Sequence, residues 1–145
     1  MTEVEFHTGL ADPVAYACRL LRRAARQGVR VQVTAPPEQL AQLDHSLWAV
    51  DAQDFVPHVR MPGAPAAVAA RTPIWLARAA LGADAPRVLL NLGAGEPLDL
   101  ATLDRVIEVV GSEADAADGG RERWRAYKSR GVSPKQVSDA GTPRG

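Results

Sequence analysis

The opening segment constrains the fold more than any other part of the chain. "EVEFHT", residues 3 to 8, alternates Val4, Phe6 and Thr8 with polar neighbours, the period-two pattern of a strand with one buried face. Asp12 then reads as a helix N-cap with Pro13 at the first helical position. Val14, Ala17, Cys18 and Leu21 recur at i, i+3, i+4, i+7, so one helical face is apolar until Gly28 stops the helix. "VRVQVT", residues 29 to 34, is a second strand. Strand, helix and strand in so short a stretch form a βαβ unit, which predicts a parallel pair joined by a right-handed crossover. Arg19, Arg22, Arg23 and Arg26 take the rest of the helix surface, where cations near the C-terminal end complement the dipole; a solvated face is expected.

After "APP" a second helix is expected from about Pro37 to Leu47, with Leu40, Leu43 and Leu47 toward the sheet. Pro57, Pro62, Gly63, Pro65 and Pro73 interrupt the next stretch, and residues 57–72 read as one long loop. "PIWLA" and "RVLLNL" are two short buried strands, and "LDRVIEVV", residues 103 to 110, ends in a fifth apolar run. Ser112 and Asp115 have the spacing of a capping box for a last helix. Gly119 and Gly120 lie inside that helix and each costs about 1 kcal/mol against alanine, so it is expected to fray there or begin anew at Asp118. From Val132 onward the chain is polar and bears glycine and proline, and is expected to be extended or disordered. The expected fold is a single-domain, Rossmann-like α/β structure over residues 1–131, with a tail at 132–145. Its sheet is mainly parallel, of about five strands flanked by helices, with a C-terminal helix.

Seventeen basic residues balance seventeen acidic ones in 145, so no domain-wide field draws the protein onto nucleic acid or an anionic membrane. No apolar stretch approaches the roughly 18 to 20 residues that span a bilayer, and "MTEVEFHTG" lacks the basic and then apolar run of a signal peptide; a cytoplasmic protein is expected. Cys18 is the one cysteine, which excludes an intrachain disulfide and a thiolate cage, and a buried inert thiol is expected. "GLADP" has a single glycine and "NLGAGEP" gives only G-x-G, with neither a P-loop lysine nor a dinucleotide fingerprint; Gly93 and Gly95 read as a plain turn. His7, His45 and His58 are scattered over different elements without metal spacing and are expected to be structural. No catalytic residue, metal or cofactor is indicated.

Charge is concentrated in "RERWRAYKSRG", residues 121 to 131, which holds five basic side chains, one acidic one and two aromatics. On a helix Arg121, Trp124, Arg125 and Lys128 share one stripe, while Arg123, Tyr127 and Arg130 turn away from it. A guanidinium grips a carboxylate in a two-pronged pair and an adjacent aromatic covers an apolar ring, which suits a short acidic peptide with an apolar end. Core packing is the competing reading for Trp124 and Tyr127, which lie about 60° apart on the helical wheel, on the side of Ala116 and Ala117. The second conspicuous stretch is "LDHSLWAVDAQDFVPHV", residues 43 to 59, where Trp48 and Phe55 come as a helix ends and the chain turns irregular. Such side chains either close a core or face a partner.

A helix ending in L-W, a short acidic link and F-V-P-H, followed by R-x-R-W-x-x-Y-K-x-x-G, resembles the chi subunit family of bacterial DNA polymerase III holoenzyme. The resemblance covers residues 3 to 131. It implies a Rossmann-like, non-catalytic accessory subunit of the clamp-loader assembly, bridging the psi subunit and the acidic C-terminal tail of single-stranded-DNA-binding protein, which ends in a phenylalanine carboxylate. Carried over, Arg121 would pair with that carboxylate, Trp124 would take the aromatic position of the motif, and Val110 would line the apolar pocket, with Arg125 and Lys128 on the same stripe. Trp48, Phe55, Val56 and Pro57 would form the surface for psi or another clamp-loader component. DNA contact would be mainly indirect. The competing class is a small Rossmann-like nucleotide-binding enzyme or sensor, using the loops after the first strand and after "RVLLNL".

Overall fold

The computed structural model describes residues 2–48 and 55–137. In chain order these form β1 (Glu3–Leu10), α1 (Pro13–Arg26), β2 (Val31–Thr34), α2 (Pro37–Trp48), β3 (His58–Arg60), α3 (Ala66–Arg71), β4 (Ile74–Ala77), β5 (Val88–Asn91), a 3₁₀ turn (Leu100–Thr102), β6 (Arg105–Gly111), α4 (Ala114–Ser129) and β7 (Lys135–Val137). The strands make one sheet in the order β3-β4-β2-β5-β6-β1-β7, and every described pairing is parallel.

The local signals act as read. Asp12 Oδ1 accepts the Ala15 N–H at 3.1 Å, Pro13 opens α1, and Gly28 takes φ +74° just beyond its end. Cys18 is buried. Leu40, Leu43 and Leu47 bury their side chains in the main core beside Ala17, Leu21, Val31 and Val33. Each is worth about 1.5–3 kcal/mol against exposure. The central strands are buried on both sides because helices cover both faces. In β6, Val106 and Val110 point toward α4, while Ile107 and Val109 point into the core built with α1 and α2.

Long-range features differ from the sequence reading. β1 and β2 are not a pair: β5 and β6 lie between them, because β1 finds its partners in β6 and β7. Among the described residues the sheet has seven strands, in keeping with the mainly parallel sheet of about five that was expected. Segment 57–72, read as a loop, contains both β3 and α3. Trp75 ties α3 down, its indole Nε1 donating to the carbonyls of Ala69 at 2.9 Å and Thr72 at 3.1 Å. Glu113, not Ser112, is the N-cap of α4, and it makes no side-chain capping bond. α4 runs without a break through Gly119 and Gly120. Residues 135–137 are extended and pair with β1, while 138–145 and the acidic link at 49–54 lie outside the described residues.

Candidate functional site

The site begins with a close approach. A β-carbon on Gly120 would stand 2.8 Å from Val110 Cγ1, so the glycine lets α4 settle directly onto β6. Below that contact Glu108 is wholly buried in the sheet. Arg123 Nε donates to its Oε1 at 2.7 Å, Tyr127 Oη to its Oε2 at 2.7 Å, and Asn91 Nδ2 to both oxygens at 3.2 and 3.0 Å. Burial pushes the Glu108 carboxyl above its ordinary range, against the pull of the Arg123 charge and these hydrogen bonds. Burial, reinforced by the Glu108 charge, likewise raises the Tyr127 phenol. Arg123 and Tyr127, one helical turn apart, thus pin the rotation of α4 from inside. Arg130 pins its end by donating to the carbonyls of Pro97 at 2.6 Å and Leu98 at 2.8 Å.

With that face pinned, the next face of α4 borders a cleft of about 610 Å³ at the carboxyl ends of β1 and β6. Phe6, Val110 and Gly120 are buried in its apolar lining, and Arg121 and Trp124 stand on the helix side. Trp124 is half-buried and packs edge-on against Phe6, centroids 5.1 Å apart; Tyr127 meets the same ring at 5.8 Å from full burial. Tyr127 is therefore core, and Trp124 is half-buried and lines the cleft. Arg121 is exposed and forms an ion pair with Asp118 one turn back, so an incoming anion competes with a surface pair of small worth. Arg125 and Lys128 are exposed and lie outside the cleft lining. The structure brings Val110, Arg121 and Trp124 together, with Arg125 and Lys128 extending the same helix surface.

A second surface forms where α2 ends. Trp48 is 63% exposed and Phe55 38%, and their rings meet at a tilt of 40° with centroids 4.8 Å apart. His58 supports them from below: Nδ1 bonds the Val56 carbonyl and Nε2 bonds Asp44 Oδ1, each at 2.7 Å, and its ring lies 5.5 Å from that of Trp48. Pro57 is exposed. Val56 is 2% exposed and packs in the main core, so it anchors this segment and its side chain is not part of the outward surface.

Asn91 and Glu108 escaped the sequence reading. A lone carboxylate within the apolar run "RVIEVV" was the available sign, since a charge there needs partners from elsewhere. Asn91 also accounts for the G-x-G turn: its Oδ1 accepts the Ala94 N–H at 2.9 Å and its Nδ2 donates to the Ala94 carbonyl at 2.8 Å, which turns the loop inward. Among the described residues no group of three or more His, Cys, Asp and Glu side chains is placed to hold a metal, and no helix is long and apolar enough to cross a membrane.

Fold and site define a class: a parallel α/β sheet covered on both faces, whose carboxyl-end cleft is furnished by a cationic, aromatic helix instead of a glycine-rich phosphate loop. Residues 1–135 match the family described as DNA polymerase III chi subunit, HolC. A DNA polymerase III subunit chi of Pseudomonas aeruginosa is 32% identical over 136 residues, spanning 90% of this chain and 92% of that protein. The chain belongs to the DNA polymerase III chi subunit family, accessory rather than catalytic subunits of that polymerase.

Proposed function

We propose that this chain bridges the clamp-loader assembly to single-stranded-DNA-binding protein, taking that protein's acidic C-terminal tail in the cleft beside α4. The observation that carries this reading is the placement of Arg121 and Trp124 beside an apolar floor that includes Phe6 and Val110. A guanidinium next to an apolar recess matches a peptide ending in an apolar ring and a free carboxylate. Trp48, Phe55 and Pro57 serve as the docking surface for psi or another clamp-loader component. Strand order supports two simultaneous partners: β3, beside the exposed aromatics, lies five interstrand steps from β1, or roughly 24 Å along the sheet.

The test is a titration with a short acidic peptide ending in Pro-Phe, as free acid and as amide, against the native chain and Arg121→Ala. Saturable binding of the free acid is expected, weakened by about tenfold or more on amidation or on substitution. Absence of saturable binding, or affinity indifferent to both changes, would refute tail binding. Saturable binding of ATP or NAD would support the nucleotide-binding class instead.

A further inference from the structure

Opposite the cationic helix, the cleft has an uncharged wall. Thr8 of β1 and Gln136 of β7 stand there, joined by a hydrogen bond from Gln136 Nε2 to Thr8 Oγ1 at 3.1 Å. The backbone beneath them is irregular. β1 follows β6 in register from Glu3↔Arg105 to His7↔Val109 and resumes at Leu10↔Gly111, with Gly9 at φ +72° between. β7 pairs with β1 from Glu5↔Lys135 to His7↔Val137, with Gln136 opposite Phe6. A bulge of this kind bends the strand and re-aims the side chain it carries, here Thr8.

The helix wall and the strand wall differ in what they can bind. Arg121 offers donors only and Trp124 an apolar ring, which together suit a terminal carboxylate and an apolar side chain. Neither accepts a main-chain N–H. An extended peptide covered by the cleft brings N–H and C=O groups that need partners once they leave water. A primary amide and a hydroxyl each donate and accept, so Gln136 and Thr8 supply both roles. We infer that Thr8 and Gln136 are the second half of the site, hydrogen-bonding the main chain of an acidic peptide just ahead of its C-terminus while Arg121 holds the carboxylate. This rests on the tail-binding reading above, and it makes β7, outside the helical motif, part of recognition.

The experiment compares Thr8→Val, which keeps the shape of the side chain, and Gln136→Ala, which keeps the backbone of β7, with the native chain. Each is titrated with the free-acid peptide at several salt concentrations. Each substitution is expected to weaken binding about three- to tenfold with an unchanged salt dependence, because neutral groups are insensitive to screening. Arg121→Ala is expected to flatten the salt dependence. A peptide with the amide of its last residue replaced by an ester gives a second measurement: it should bind the native chain more weakly than the amide form does, and lose less against Gln136→Ala. If the native chain binds the peptide and both variants bind it equally well, the inference fails while tail binding stands. If the native chain does not bind it, both fall.

Discussion

A β-carbon on Gly120 has no room, whereas one on Gly119 meets only the Nη1 end of Arg123 at 3.2 Å. The first contact is with a branched side chain on a buried strand, and the second with the far end of a long one. Gly120→Ala is therefore expected to destabilise the fold by about 1–3 kcal/mol, as overpacking does. Gly119→Ala should cost clearly less, because alanine's better helix propensity, about 1 kcal/mol, offsets the tighter contact. Denaturant midpoints of the two variants check this, and equal losses would contradict it. On propensity alone the two glycines are indistinguishable, and both argue for a broken helix. What separates them is which one faces Val110, a fact of packing. Glu108 poses the same problem: a carboxylate amid valines reads as a flaw until Arg123, Tyr127 and Asn91 arrive from fifteen, nineteen and seventeen residues away.

At the level of elements, legibility followed burial and length. α1 and α2 carry full apolar stripes and were readable end to end, as were the buried runs of β4 and β5. Among the described residues β3 and β7 span three residues each and lie at the two edges of the sheet, where one face of the pattern is not enforced by a core. β1 contributes more than its alternation suggested. Glu5 on it accepts from His7 at 3.1 Å and from Arg105 at 2.5 Å. The His7 bond is the largest influence on Glu5, and with the Arg105 bond and charges it outweighs burial, holding the carboxyl down at about 2 instead of 4.5. A carboxylate with a depressed native pKa contributes stability that is complete above the unfolded value and fades as pH falls through the native one. Thermal midpoints should therefore drop between pH 4.5 and about 2, and Glu5→Gln should remove part of that drop. The remainder belongs in part to Asp44: burial raises its carboxyl, but the His58 and Arg60 hydrogen bonds and charges together bring it below its ordinary value. An acid response unchanged in Glu5→Gln would contradict the assignment.

Over the whole molecule, the two surfaces sit at separate places on one rigid sheet, so they should behave as independent sites. Arg121→Ala is expected to weaken the acidic peptide without affecting the partner on the Trp48 side, and Trp48→Ala the reverse. The coupling should stay within about 0.5 kcal/mol, as for residues sharing no partners. Titrating each variant with each partner tests this; coupling well above that figure would mean that the sheet transmits between the sites. The cationic helix α4 and the Trp48–Phe55 stretch stood out in the chain because clustered cations and aromatics placed where a helix ends are unusual in any window. Amphipathic periods, an Asp-Pro cap and short apolar runs specified the helices and most buried strands, since those preferences act over a few residues. The separation of β1 from β2, the seating of α4 on Gly120, the partners of Glu108 and the strand wall at Thr8 and Gln136 came from folding alone. Each depends on side chains far apart in sequence competing for the same buried space, which no local pattern contains.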